Sequence, residues 1–266
     1  MKISKLAAIY NVFDGEELLE GSIKSIRNQV DVVIVVYQIV SNWGNRNDEL
    51  LPLIDDLRCR GLIDIAVFFQ PKEVPHPHFN ETEKRRKGYI TALKENCTHF
   101  LFMDCDEYYF ENQFKEAKEI IANENYSGSA CQIATYYNQP EYLIQPHYTY
   151  YVPFIHQVQE AMKIGLAQDR YPVCVDPTRK CSAIQKLWII RREMLEMQHY
   201  SYIRKDIAKK LYNSSARDNF NDIYINIEKF NTFKIGDELI YFGKQHKIKE
   251  VTNHFNINLY GKRSDS

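Results

Sequence analysis

Along its first 110 residues the chain alternates two hydrophobic periods. Residues 5–12 (KLAAIYNV) form an apolar run of strand length. Residues 16–29 put Leu19, Ile23 and Ile26 on one helical face, with Asp14 placed to cap that helix. Residues 32–40 (VVIVVYQIV) are an almost unbroken β-branched stretch, the pattern of a strand covered on both faces. Leu50, Ile54 and Leu57 predict a second helix over 48–60; Pro52 fits its first turn and Gly61 closes it. Residues 63–69 supply a third strand, followed by a loop with Pro71, Pro75 and Pro77. A basic helix is predicted over 82–96 and a fourth strand over 99–103.

Strands alternating with helices at this spacing predict right-handed crossovers, and so an α/β fold with a mostly parallel sheet flanked by helices. Ligands of such sheets gather at the carboxyl ends of the strands. That rule singles out Asn11, the 41–45 loop, the 71–80 loop and residues 104–107. Beyond about residue 231 two strand-like runs flank Gly243, Lys244 and Gln245, which predicts a hairpin, and the polar tail GKRSDS is expected to be mobile.

Composition narrows the class without naming a function. The chain has 266 residues, 44% of them hydrophobic and 26% charged, which suits one large globular domain or two fused halves and excludes a disordered chain. A net charge of −1 argues against a nucleic-acid partner held by an overall basic field. The first apolar run meets Asp14, Glu16 and Glu17 too soon for a signal peptide, and no stretch is long enough to span a bilayer. A cytoplasmic protein is expected, with at most peripheral contact at the inner face of a membrane. Six cysteines without a C-x-x-C pair then read as reduced, mostly buried thiols.

The most informative segment is HFLFMDCDEYY. An apolar strand ends in Asp104-Cys105-Asp106-Glu107, and in extended chain Asp104 and Asp106 point the same way. Hard oxygen ligands at a strand end suit Mg²⁺ or Mn²⁺, with positions left for water and phosphate. A solvated acidic turn is the plainer alternative.

This strand–D-x-D-E–aromatic segment, after a βαβα half, resembles the GT-A glycosyltransferases, in particular the family 2-like branch whose motif is D-x-D-E-[FY]. EKRRKGYITAL resembles the segment that family writes as A-R-N-x-G, with Arg85 on its arginine and Gly88 on its glycine. The opening IYNVFDGEELLEGSIKSI is similar to the family's first strand and helix. MQHYSYIRKDIAKK resembles its H-Y-x-x-[KR/S] segment and implies His199 as a metal ligand beside Asp104 and Asp106. The family usually carries an acidic residue after the second strand to hold the base or ribose. Here the segment reads YQIVSNWGN, which leaves Gln38 or Asn42 as substitutes.

The resemblance implies a GT-A catalytic domain over 1–230, with a nucleotide-sugar half (1–110) and an acceptor half (111–230), and residues 231–266 as hairpin and tail. It implies a metal-dependent, inverting transfer from a UDP- or GDP-sugar to a carbohydrate or lipid-linked glycan acceptor in cell-surface glycan synthesis. Asn11, Gln38, Asn42, Arg85, Asp104 and Arg204 are the expected donor contacts, with Arg179 and Lys180 as further phosphate candidates. The base that takes the acceptor's proton is expected between the D-x-D and the last metal ligand, where Glu160, Asp169 and Asp176 fall. Asp176 follows the strand-like run YPVCV and is preferred. Seven tyrosines between 126 and 151 could line a sugar groove, although strand propensity alone accounts for most of them. Two other readings share these features. A nucleotidyltransferase would need a Gly-rich loop that NVFDG at 11–15 matches poorly, and a carbohydrate-binding protein would use the D-x-D for a structural cation.

Overall fold

The computed structural model describes residues 2–74, 76–147, 149–165, 171–215, 217, 223–241 and 244–259. β1 (Leu6–Val12) lies mid-sheet, parallel to β2 (Val32–Tyr37) on one side and to β4 (His99–Asp104) on the other. β3 (Ile65–Phe68) extends the sheet beyond β2, also in parallel, and β9 (His156–Gln157) closes the far edge antiparallel to β4. α1 (Glu16–Ile26), α2 (Leu50–Cys59) and α4 (Glu111–Glu124) pack on one face through Leu19, Ile23, Leu50, Leu57, Phe114 and Ile121. α3 (His78–Lys94) packs on the other through Tyr89 and Ala92. Burial on both faces explains the unbroken apolar run of β2. This is the α/β arrangement that the GT-A resemblance implies, a parallel sheet flanked by helices.

Side chains alternate across this sheet, so one face carries Ile9, Val36 and Phe102 toward α3. Continuing the alternation puts Asn11, Asp104 and, one residue past β2, Gln38 on that same face at the carboxyl edge. Gly88 lets α3 come close there: a Cβ on it would stand 2.2 Å from Ile9 Cγ2 and 3.1 Å from Val36 Cγ2.

A second sheet has the order β12-β13-β7-β6-β11-β5, with β8 and β10 also paired to β6. Its strands are β5 (Glu107–Tyr108), β6 (Gly128–Tyr137), β7 (Tyr142–Gln145), β8 (Tyr151–Pro153), β10 (Leu187–Ile189), β11 (Glu196–Tyr202), β12 (Leu239–Tyr241) and β13 (Lys244–Glu250). The D-x-D turn joins β4 of the first sheet to β5 of the second. β11 runs parallel to β6 and antiparallel to β5, and gains one residue on β6 between His199 and Tyr202. Such a bulge re-aims side chains beside a site. α5 (Ile207–Asn213) and α6 (Ile223–Thr232) follow.

Several expected boundaries shift for identifiable reasons. The cap of α1 is Gly15 in the left-handed region, at φ 83°, and Asp14 instead accepts from the Gly15 N–H. β2 stops at Tyr37 because Gln38 turns inward to donate to Val40 O, and Val40 bridges to Arg46 across a tight loop. α3 starts at His78, ahead of the predicted 82, with Pro77 at the cap already at a helical φ of −51°. The YPVCV segment makes only a single bridge, Tyr151 to Val175. β12 and β13 pair antiparallel with Lys244 and Gln245 inside β13 rather than in the turn, and β13 adds its free edge to β7. Pro75, Tyr148, Asp169, Gly243 and the 261–266 tail lie outside the described residues. Of the six free cysteines, Cys97, Cys105, Cys131 and Cys181 are buried and Cys59 and Cys174 exposed.

Candidate active site

A cleft of about 390 Å³ opens at the carboxyl edge of the parallel sheet. The strand ends contribute Asn11, Gln38 and Asn42, α3 contributes Lys84 and Arg85, and the turn contributes Asp104 and Asp106. The far half brings Tyr150, Asp176, His199, Ser201, Arg204 and Lys210. The motif is not extended here. The chain turns at Cys105 and Asp106, so the two aspartates meet different partners.

Asp104 faces two arginines, Arg85 at 3.2 Å and Arg179 at 2.5 Å. Burial works against its charge, but Arg179 and Arg85 outweigh it and hold the carboxyl at about 2. Arg179, itself buried, also bonds both oxygens of buried Glu107 and lies 3.3 Å from Asp176 Oδ2. Asp176 caps the short 3₁₀ turn Pro177–Arg179 by accepting from Thr178 N–H and Oγ1–H, both at 2.8 Å. Arg85 Nε donates to the same Thr178 hydroxyl, while Arg85 Nη1 is buried without a hydrogen-bond partner among the described residues. Lys84 is buried and donates to Val12 O, and burial lowers it to about 8.

Asp106 is the other centre. Its Oδ2 accepts from Arg204 Nη2 at 2.5 Å and lies 3.8 Å from Lys210 Nζ; its Oδ1 lies 3.7 Å from His199 Nε2. Arg204, Lys210 and His199 overcome the burial penalty and lower the Asp106 pKa. Burial lowers that of His199 against the pull of Asp106, which favours the neutral imidazole a metal requires. Two ligands each about 2.1 Å from a Mg²⁺-sized ion stand roughly 3–4 Å apart, so Asp106 Oδ1 and His199 Nε2 fit one divalent cation. Glu107 completes a cluster whose ligand atoms lie within 4.8 Å of one another, but both its oxygens are engaged by Arg179. Asp104 is likewise engaged by arginines.

No family model matches the chain, and no curated protein does. Among solved structures, 49% of the chain superposes on TarS 1-349 of S. aureus with TM-score 0.38 and 16% identity, covering 36% of that chain. The complex of the same protein with UDP-GlcNAc gives TM-score 0.37 and 16% identity over 49% of this chain and 35% of that one. GalNAc-T7 with UDP, GalNAc and Mn²⁺ gives TM-score 0.37 and 12% identity over 49% of this chain and 23% of that one. The likeness thus spans well under half of each neighbour. At these TM-scores the function has to be read from the site itself.

Of the residues nominated from sequence, Asn11, Gln38, Asn42, Arg85, Asp104, Asp106, Asp176, His199 and Arg204 all line the cleft. Glu160 sits on an exposed turn and is not among the lining residues, and Asp169 lies outside the described residues. Arg179, expected as a phosphate contact, is instead buried beneath three carboxylates. Of the seven tyrosines only Tyr150 lines the cleft among those described; Tyr136 stacks on Tyr200, and Tyr126 on Trp188. Lys210 was not singled out. Its signal was the IAKKL pattern just after His199, which turns lysines away from Ile207 and Leu211.

Among the described residues no helix is long and apolar enough to cross a membrane.

Proposed function

We propose that this chain is a metal-dependent glycosyltransferase that moves a sugar from a nucleotide-diphosphate donor to a carbohydrate or lipid-linked glycan acceptor in cell-surface glycan synthesis. The observation that carries the reading is the Asp106–His199 pair, spaced for one divalent cation within a cleft that also presents unspent cationic donors. A Mn²⁺ or Mg²⁺ held there would supply positive charge to the departing diphosphate. Asp106 Oδ1 and His199 Nε2 would hold the ion, with Asp104 beside them, and Arg204 fixes the Asp106 carboxylate by donating to its Oδ2.

The chain's own groups do the rest. As the anomeric C–O bond stretches, negative charge grows on the diphosphate, and the unpartnered Arg85 Nη1 and the Lys210 ammonium are aimed at it before the reaction begins. Asp176, the cleft carboxylate contributed by the acceptor half, takes the proton of the attacking hydroxyl, and the sugar is transferred with inversion. Its orientation is set by Thr178. Tyr150 offers a ring face to the acceptor sugar.

Thermal melts with UDP and GDP, each with and without Mn²⁺, test this reading on wild type and His199→Gln. A ligand at a hundred times its Kd stabilises by about 2.7 kcal/mol, enough to read as a shift in Tm. We expect a nucleoside diphosphate to stabilise wild type, more so with Mn²⁺, and the Mn²⁺ increment to vanish in His199→Gln. Indifference to every nucleoside diphosphate would overturn it.

A further inference from the structure

Lys84 is a buried lysine whose burial the fold does not explain. It lines the cleft from α3, and its ammonium makes one hydrogen bond among the described residues, to Val12 O at 3.2 Å. That carbonyl already accepts from the Gln38 backbone N–H at 3.1 Å, so the end of β1 is held without the lysine. The carboxylates that pull on its charge are engaged elsewhere: Glu81 accepts from Ser215, and Asp104 faces Arg85 and Arg179. An ammonium carries three protons, so two of them have no protein acceptor among the described residues.

A charge taken out of water without a counter-ion is destabilising, and an apolar side chain would fill the same place at less cost. The missing partner is therefore sought in what fills the cleft, and the neighbouring amides narrow its chemistry. Gln38 is buried with its Oε1 unmatched, while its Nε2 is spent on Val40 O. Asn11, beside Val12 on β1, makes no hydrogen bond through its side chain among the described residues, so both ends of its amide are open. Gln38 Oε1 needs a donor, and an ionised diphosphate has none to give. The part of a nucleotide that carries donors and acceptor oxygens together is its nucleoside.

We propose that Lys84 is a nucleotide-binding residue whose ammonium donates to an acceptor oxygen of the nucleoside, beside Gln38 and Asn11. The proposal rests on the donor-site reading above and adds a contact to it. The contact does not depend on the base, since ribose and every base with a ring carbonyl offer the oxygen. In the free protein burial lowers Lys84 to about 8. From its own helix Arg85 adds to the fall and Glu81 opposes it; from the D-x-D turn Asp104 and Cys105 oppose it too. An acceptor oxygen on the ammonium favours the charged form, so binding of the nucleotide should draw a proton onto Lys84.

The test is titration calorimetry of the full chain, wild type and Lys84→Met, with UDP, GDP, UMP and GMP in the presence of Mg²⁺, together with melts of both proteins without ligand. For the better-bound base we expect Lys84→Met to weaken diphosphate and monophosphate by the same factor, about 10- to 100-fold, with its own Tm unchanged or raised. Unchanged affinity overturns the proposal and leaves the donor site standing. So does a loss confined to the diphosphate, which would put the lysine on phosphate. A monophosphate too weak to measure on wild type places the affinity on the diphosphate and overturns it as well. Failure of all four to bind wild type overturns the donor-site reading and this proposal together. If Lys84→Met melts lower, wild type alone decides. Between about pH 8 and 9.5, diphosphate binding measured in two buffers of different ionisation heat should show net proton uptake, and none would overturn the proposal.

Discussion

Arg179 carries a full charge in a position where water cannot reach it, and its surroundings account for that. Asp104, Glu107 and Asp176 converge on one guanidinium. Arg85 still faces Asp104 when it is removed, but buried Glu107 loses its counter-ion, so Arg179→Met should destabilise the protein by about 3–5 kcal/mol, measured as a lower urea midpoint. A loss below about 1 kcal/mol would mean that the acids are not held by this residue. The sequence did not reveal this role. DPTRK reads equally well as a surface turn, and only the packing of that turn beneath the D-x-D puts its arginine among three acids. Asp106 and His199 were legible because each lies in a short motif whose neighbours announce it. Lys210 was not, because a lysine on an amphipathic helix is most often solvated.

At the scale of elements, the decisive contact is between α3 and the sheet. Gly88 permits the approach, and Lys84 and Arg85 lie about one turn before it, where they reach the strand ends. Gly88→Ala would push its Cβ into Ile9 and Val36, costing about 1–3 kcal/mol and moving α3 outward. The expected signature is a lower Tm together with weaker nucleotide binding; unchanged binding would separate α3 placement from the donor site. Most of the first sheet could be read from residues 5–110, since buried parallel strands and amphipathic helices carry strong local patterns. The start of α3 could not, because His76-Pro77-His78 looks like loop until Pro77 is recognised as the helix cap. Strands β5 to β11 were harder still. All but β6 and β11 are only two to four residues long, too short to show a period, and β6 and β11 pair with each other across some sixty residues of chain.

Taken whole, the molecule is sewn together where β4 meets β9, and two buried histidines sit on that seam. His99 and His156 pair with Gln157 and Phe100 across it. Burial holds both imidazoles down at about 4. The unfolded chain protonates near 6.5, so between 6.5 and 4 it binds more protons than the folded state does. Stability should therefore be level above pH 6.5 and fall as the pH drops through that window, by as much as a few kcal/mol. Urea unfolding at pH 7.5, 6 and 5 reads this directly, and equal stability at all three would contradict it.

The D-x-D turn belongs to both sheets at once, and that has a consequence for how the protein is made. On a ribosome the first sheet's central strands emerge early, with Asp104 and Asp106 already in place. Yet β11 must still be threaded in between β6 and β5 before His199 can face Asp106, and Lys210 follows later still. In a nascent chain, therefore, His199 meets Asp106 only after β6 and β11 have both emerged and paired, so assembly of the cleft and completion of the second sheet should coincide.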